Sequence, residues 1–331
     1  MKEIIRVNTL LIIIIYLLKI CTSYIYLDKF HTTGSVEKKV DWKNITTIED
    51  VWTHHPEKID FVLQSVNKSI PELIPVRKAL QNADTIRAVQ HLLEYYKSKN
   101  DISWFLKDQY SFHSEKKRNQ AKQLLHENEL ILNDVKAVIP ENADGGWKWN
   151  YTGPEKDDEF GYSLNRHTYF SLLLKGYNET HNEKYAAKFD SILRDWVLHN
   201  PYPSEDDSVW NVHKINDSSV LDWRDIGEVV WRDLEAGIRL GESWPEAFFG
   251  FQDSDAFTPA GKILMLSSII EQSEYLRDYH KKNHNWTTME MNGLGLTGLL
   301  FNEFTKADIW GNYALSTMVK ELDEQVYPDG T

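Results

Sequence analysis

Cysteine is almost absent from this chain, since Cys21 is the only one among 331 residues. One thiol cannot close an intramolecular disulfide, which excludes a disulfide-stapled scaffold. Low-complexity linkers and convincing internal repeats are also lacking, and sustained alternation of apolar and polar residues, the pattern of half-buried strands, is scarce. With 26% charged and 41% hydrophobic residues, the composition is that of a globular protein long enough for one large domain or two ordinary ones.

Basic residues are outnumbered, with 37 Lys and Arg against 50 Asp and Glu and a net charge of -13. A nucleic-acid partner is therefore not expected, because such partners require excess positive charge to neutralise phosphates. A local cluster of Arg, His and Asn can still bind an anion, since association depends on the local field. Aromatic residues are abundant, with 12 Trp, 16 Tyr and 13 Phe. Such side chains line sugar-binding clefts, although packing between helices would account for most of them.

The N-terminus has the pattern of a secretory signal. Two basic residues precede the apolar run Leu10–Leu18, and the small residues Thr22 and Ser23 follow it. We expect residues 1–23 to be a signal peptide and the protein to be periplasmic or secreted. We expect no stable membrane insertion after signal removal, because the apolar run is short for a membrane span. Cleavage would also remove Cys21 and exclude thiol catalysis. An uncleaved anchor and a lipoprotein attached at Cys21 are the alternatives.

Hydrophobic periodicity predicts an all-α protein. Short helices are expected between residues 41 and 120, including one capped by Asp84 and ending near Lys99. Residues 139–161 are rich in Gly and Trp and predict an ordered loop. Longer helices are predicted near 161–177, 182–198, 222–240, 259–280, 288–301 and 307–326. We divide the chain into an N-terminal helical subregion, 24–140, and a remainder, 141–331, which we expect to form one structural domain.

Antiparallel helix pairs that follow one another without intervening strands can curl into a toroid whose helix ends and loops line a cleft. One predicted helix-to-helix connection concentrates amides, an imidazole and an indole, as a binding site does. It runs through His284, Asn285 and Trp286 to Asn292 and the following glycine.

Taken with other segments, this stretch resembles the heparinase II/III group of polysaccharide lyases, and in particular the heparinase III type that cleaves heparan sulfate. The other matching segments, in chain order, are Leu164–Phe170, Asp195–Trp196 with Asn200–Pro201, Val230–Ala236 with Arg239, Phe301–Phe304 and Glu324–Gly330. The similarity runs from about Asp41 to the C-terminus. Several motifs in the same order are far more specific than any one of them alone.

The resemblance implies an incomplete α/α toroid of antiparallel helix pairs, without the C-terminal β-sandwich of the family. It also implies β-elimination on an acidic polysaccharide, in which a base removes the proton on C5 of a uronic acid. That proton is very weakly acidic beside an ionised carboxylate, so the enzyme must neutralise the carboxylate, as an oxyanion hole does. By motif position, Asn285 matches the carboxylate-binding Asn of the family, and His284 beside it is a possible second donor.

The resemblance further suggests a set of substrate-binding residues, namely Asn165, His167, Trp231, Arg239, Trp286 and Asn292. The residue types alone leave other interpretations open. His167 could be a hydrogen-bonded structural residue, and Trp231 could be buried between helices. Arg239 could pair with Glu235, one helical turn earlier. Arg232 is undecided between substrate binding and an ion pair.

Two catalytic groups of the family have no counterpart in this sequence. The catalytic Tyr follows the motif that resembles Val326–Gly330, and a His lies on the β-sandwich. We therefore expect a truncated product or a domain fragment with little lyase activity of its own. No cofactor is expected. His280 and His284 have the spacing of two metal ligands, but the Glu of the zincin pattern and a third ligand are lacking, so no metal is expected.

Three alternatives to a heparan sulfate or heparin lyase remain open. The substrate could be alginate or another uronate polysaccharide. The chain could be a glycoside hydrolase on a similar toroid, which would require a pair of carboxylates flanking the cleft. It could also be a glycan-binding module without turnover.

Overall fold

The computed structural model describes residues 41–106, 111–203 and 229–326, which belong to one compact unit. The predicted signal peptide, Cys21 and the start of the helix predicted at 222 lie outside the described residues. The described residues form thirteen α-helices: α1 Ile48–His54, α2 Pro56–Ser65, α3 Ile74–Gln81, α4 Thr85–Ser98, α5 Glu115–Glu127, α6 Asp158–Arg166, α7 Phe170–Thr180, α8 Glu183–His199, α9 Asp233–Gly241, α10 Ser243–Gly250, α11 Pro259–Tyr279, α12 Asn285–Leu300 and α13 Ala307–Gln325. They also form one antiparallel hairpin, β1 Glu129–Leu132 and β2 Val135–Val138.

The predicted all-α class is confirmed. The helices begin where capping chemistry favours them: the Asp84 carboxylate accepts the N–H of Arg87 at 3.0 Å before α4, and the Thr258 hydroxyl accepts the N–H of Gly261 at 3.0 Å before α11. No helix in the described part of the chain is both long and apolar enough to cross a membrane.

One predicted helix is divided in two, and two elements were not predicted. The helix expected over 161–177 is two helices, because His167 adopts a left-handed conformation with φ +57° and ends α6. The hairpin was not predicted, although Asn133 and Asp134, with φ +49° and +62°, are the residue types of a tight two-residue hairpin turn. Helix α10 was also missed.

The first helices of the described unit meet its last ones. The N–H of Asn67 donates to the Glu303 carbonyl at 2.7 Å, and the N–H of Thr305 donates to the Ser65 carbonyl at 2.8 Å. The Glu303 carboxylate is fully buried and accepts the Tyr95 hydroxyl at 2.6 Å. The segment after α2 is thus fixed to the segment between α12 and α13.

Helices α9 and α12 pack with their backbones in contact. An ideal Cβ on Gly293 would lie 2.3 Å from the carbonyl oxygen of Gly237, and one on Gly237 would lie 2.6 Å from the Cα of Glu290. Only glycine permits so close an approach. The contact brings Arg232, which immediately precedes α9, beside Trp286 in the first turn of α12.

Candidate active site

The connection between α11 and α12 is held by hydrogen bonds from α12 itself. His284 is the N-cap of α12, and its Nδ1 accepts the N–H of Trp286 at 3.2 Å. The Thr287 hydroxyl donates to the Lys281 carbonyl at 2.9 Å. Helix α12 therefore starts at Asn285, three residues before the predicted start at 288, because His284 acts as a cap that the residue types did not indicate.

Asn285 is the first residue of α12, and its side chain is exposed. Its carboxamide makes no hydrogen bond to any residue that the structure describes. Since the positive end of the helix dipole lies at this terminus, an anion bound here would be stabilised both by the dipole and by the amide N–H groups of Asn285.

A stack of three side chains lies beside Asn285. The guanidinium carbon of Arg232 is 3.8 Å from the ring centre of Tyr162 on α6 and 4.2 Å from that of Trp286. Both distances are within the range of cation–π attraction. The imidazole of His284 packs edge-on against Trp286, with ring centres 4.8 Å apart. The stack joins residues from three parts of the chain into one surface.

Glu235 holds two guanidinium groups at this surface. Its carboxylate, fully buried, lies 3.3 Å from Nε of Arg232 and accepts hydrogen bonds from Nε and a terminal nitrogen of Arg166 at 3.2 and 3.1 Å. Burial raises the pKa of Glu235, while the charges of Arg232 and Arg166 lower it. Arg166 also lies 3.6 Å from the exposed Glu159 carboxylate, so the cluster joins two guanidinium groups and two acids.

Asn292 lies two turns beyond Asn285, and both side chains are exposed. A rise of 1.5 Å per residue separates the two positions by about 10 Å along one face of the helix. Asn292 lies against α9, since a Cβ on Gly241 would come within 2.7 Å of its Nδ2. The structure thus brings together the predicted residues His284, Asn285, Trp286 and Asn292 on α12.

Asn165 lies in the core. It is fully buried, and its Nδ2 donates to the carbonyls of Trp149 and Gly161 at 2.9 and 3.0 Å. Its Oδ1 accepts the indole N–H of Trp196 at 3.1 Å. These contacts tie the loop before α6 to α6 and α8.

His167 is also fully buried. Its Nδ1 accepts the indole N–H of Trp244 at 2.9 Å. Burial, with a smaller effect of the Arg239 charge, holds the pKa of His167 well below its ordinary value. The imidazole is therefore neutral, with its proton on Nε2, and ends α6 within an aromatic core.

Arg239 is fully buried. It donates to the Gln272 side chain at 2.7 Å and to the carbonyls of Asn165 and Val230 at 2.7 and 3.2 Å. The guanidinium carbon also lies 4.6 Å from the ring centre of Trp196. Its hydrogen bonds join α9 to α11 and to the end of α6, rather than to Glu235.

Trp231 is 2% exposed, and its indole N–H donates to the Asn200 carbonyl at 3.2 Å. Together with Asn165, His167 and Arg239 it forms a polar and aromatic layer of the core. The substrate-binding role suggested for these four residues stays a prediction. What the structure shows for them is a set of contacts that join α6, α8, α9 and α11.

Sequence reasoning missed Tyr162 and Arg166 and left Arg232 undecided. The one available signal was the three-residue spacing of Arg232 and Glu235, which places them on one helix face. No group of three potential metal ligands occurs among the described residues. His280 and His284 do not share a face: His280 is buried at the end of α11, with Nδ1 on the Leu276 carbonyl at 3.0 Å, whereas His284 is exposed.

The chain is similar in sequence to curated heparin-sulfate lyases. The lyase of Bacteroides thetaiotaomicron is 24% identical over 277 residues, which cover 81% of this chain and 37% of that protein. The lyase of Pedobacter heparinus is 30% identical over 177 residues, which cover 54% of this chain and 24% of that protein. The chain thus spans about two fifths or less of the length of these relatives.

Solved structures of the same type share the fold. The chain matches a crystal structure of heparinase III with a TM-score of 0.69 at 23% identity, covering 81% of this chain and 39% of that one. It matches the heparan sulfate lyase HepC from Pedobacter heparinus with a TM-score of 0.65 at 25% identity, covering 81% and 40%. The family described as heparinase II/III N-terminus matches residues 62–331. Together with the helical architecture, this match shows that the chain belongs to the heparinase II/III family.

Proposed function

We propose that this chain carries the uronate-binding half of an exported lyase that cleaves heparan-sulfate-like glycans by β-elimination. The observation that carries the proposal is the exposed carboxamide of Asn285 at the start of α12, which makes no hydrogen bond to a described residue. It precedes Trp286, whose indole contacts the Arg232 guanidinium. The relatives are named heparin-sulfate lyases, and the N-terminal pattern of basic, apolar and small residues supports export.

The chemistry of β-elimination explains why such a surface is useful. Removing the C5 proton places negative charge on the uronate carboxylate in an enolate-like state, and hydrogen bonds made before the reaction stabilise that charge. In the proposed arrangement, Asn285 donates from Nδ2 to one carboxylate oxygen. Arg232 supplies positive charge nearby, and His284 is a second donor.

Trp286 has a supporting role in this arrangement. One face of its indole is covered by the Arg232 guanidinium, which keeps the cation at the edge of the site instead of extended into solvent. Proton transfer is not assigned to any of these residues. The resemblance gives that role to a Tyr.

Binding measurements test this function. The wild-type chain should bind heparan sulfate oligosaccharides, and Asn285→Ala should weaken that binding by about tenfold, the effect of losing one charge-assisted hydrogen bond. Asn312→Ala on α13, another exposed helical Asn, is the matched control and should bind as the wild type does. Equal affinity of both variants would remove Asn285 from the site.

The reaction class is tested on the whole natural protein. A lyase leaves an unsaturated uronate that absorbs in the ultraviolet, whereas a hydrolase leaves none. Cleavage of heparan sulfate without that absorbance would refute β-elimination. Cleavage of alginate but not of heparan sulfate would keep the reaction and change the substrate, and binding without cleavage would favour a glycan-binding module.

A further inference from the structure

Two buried carboxyl oxygens behind the proposed site have no hydrogen-bond partner among the described residues: Oε1 of Glu290 and Oδ2 of Asp233. Glu290 is fully buried and Asp233 is 1% exposed. Glu290 belongs to α12, whose first turn carries Asn285, and Asp233 is the first residue of α9, directly after Arg232. Since unpaired buried polar atoms are costly, the pair calls for a physical explanation.

The other oxygen of each carboxyl group is occupied by backbone. Oε2 of Glu290 accepts the N–H of Lys281 at 2.9 Å, and Oδ1 of Asp233 accepts the N–H of Leu234 at 2.9 Å. The Lys281 ammonium lies 3.8 Å from Oδ2 of Asp233, with its side chain 42% exposed. One half-exposed cation therefore faces two buried acids.

Burial and the charge of a neighbouring acid disfavour ionisation of Glu290. Burial and, next, the Asp233 charge raise the pKa of Glu290 to about 9, with Glu235 on α9 acting in the same direction and the Lys281 backbone and charge opposing. Tyr275 on α11 faces both carboxyl groups, and its pKa is raised as well. At neutral pH Glu290 therefore carries a proton.

We propose that Glu290 is a positioning residue whose proton is shared with Asp233, and that this bridge holds the Lys281–His284 connection, and with it Asn285, against the start of α9. A single O–H···O bond from Glu290 to Asp233 would satisfy both unpartnered oxygens. The inference deepens the proposed function and rests on it, since it takes Asn285 to be the uronate-binding group.

The connection depends on few contacts, which is why one proton can matter. Besides Glu290, the Thr287 hydroxyl donates to the Lys281 carbonyl. From α13, Glu321 accepts the N–H of Asn283 at 3.2 Å and the Gln325 amide donates to the His284 carbonyl at 3.1 Å. Asn283 itself has φ +56°, a left-handed conformation that persists only when its surroundings impose it. Loss of the Glu290 proton would leave two negatively charged carboxylates that repel each other where the backbones of α9 and α12 are in contact.

Two substitutions at Glu290 distinguish the effect of the shared proton from the effect of the side chain itself. Glu290→Gln mimics the protonated acid, because its amide can accept from Lys281 and donate to Asp233 at every pH. Glu290→Ala removes both bonds. Glu303→Gln is the matched control: Glu303 is also fully buried but follows the opposite end of α12, which lies about 15 Å along the helix from Glu290.

Three readouts test the proposal. Carbon-13 NMR of the labelled Glu290 carboxyl reports its protonation directly. Hydrogen exchange of the Lys281 to Asn285 amides reports the order of the connection. Affinity for a heparan sulfate oligosaccharide, measured between pH 7 and 10, reports whether the proposed binding site is intact.

We expect Glu290 to stay protonated at pH 7. Glu290→Ala should exchange faster in the connection and bind about tenfold more weakly, as for one lost buried hydrogen bond. Glu290→Gln should exchange slowly and keep its affinity above pH 9, where that of the wild type falls.

Titration of Glu290 near the ordinary value of a carboxyl group, or equal exchange in the alanine and glutamine variants, would overturn the proposal. Loss of binding in Glu303→Gln as large as in Glu290→Ala would also overturn it, since general destabilisation would then explain both. If the wild type binds no oligosaccharide, the proposed function fails, while the NMR and exchange results still decide whether the bridge exists.

Discussion

The contact between α9 and α12 predicts opposite effects of the same substitution at two glycines. In Gly293→Ala the new Cβ would lie 2.3 Å from the Gly237 carbonyl oxygen, whereas carbon–oxygen contacts between backbones normally begin near about 3.3 Å. The helices must therefore separate by about 1 Å. Overpacking of this kind costs about 3 kcal/mol, and the better helix propensity of alanine returns about 1 kcal/mol. The expected net loss of stability is about 2 kcal/mol.

Gly311→Ala on α13 is the control. A Cβ at Gly311 meets no atom of the described residues within 4 Å. Only the propensity gain then remains, and stability should rise by about 0.5–1 kcal/mol. Urea unfolding at pH 7, followed by far-ultraviolet circular dichroism, measures both changes. If Gly293→Ala unfolds at the wild-type midpoint or above it, the helices are not in backbone contact and the positioning of Arg232 beside Trp286 needs another explanation.

The titrating groups and the stack give three more predictions. Burial and the Asp233 charge raise the pKa of Glu290 from 4.5 to about 9, so between these values the folded state keeps a proton that the unfolded state releases. The contribution of Glu290 to stability is therefore fully present below about pH 4.5 and is lost as the pH rises towards 9. Urea unfolding at pH 6 and 8 should show a smaller fall in stability for Glu290→Gln than for the wild type. The hydrogen bond to Asp195 raises the pKa of His199 above 6.5. The stability that this bond contributes is therefore complete below pH 6.5 and is lost as the pH rises through the raised pKa. The same unfolding series on His199→Gln should lack that loss, and a pH profile equal to that of the wild type would contradict the prediction. Arg232→Lys should weaken oligosaccharide binding by about three- to tenfold, because an ammonium loses the planar stack between Tyr162 and Trp286; calorimetry that finds no change would show that the stack is dispensable.

The parts of the fold that could be predicted are those governed by local chemistry. Asp84 and Thr258 cap helices through contacts three residues away, so the local sequence indicates where these helices begin. The turn at Asn133 and Asp134 was also readable, and it was missed because the strands are only four residues long. The break at His167 was not readable, since its residue type alone does not distinguish a helix end from a continuing helix; in the structure its ring is buried beside Trp244.

Part of the candidate surface could be anticipated from the sequence for the same reason. The segment from His284 to Trp286 is contiguous and could be recognised by its motif. The Arg232 stack joins α6, the start of α9 and α12, so Tyr162 and Arg166 become visible only when the helices pack. Four other predicted residues, among them Asn165 and Arg239, lie in the core, which residue type alone could not reveal.

The central claim is that Asn285 binds the carboxylate of a uronate, and a thermodynamic cycle tests it most directly. Affinities of the wild-type chain and of Asn285→Ala would be measured by calorimetry for a heparan sulfate oligosaccharide and for the same oligosaccharide with its carboxylates reduced to alcohols. The account predicts that the substitution weakens binding of the native glycan about tenfold and leaves binding of the reduced glycan unchanged, a coupling of about 1.4 kcal/mol. Equal losses for both glycans would show that Asn285 does not recognise the carboxylate and would contradict the account.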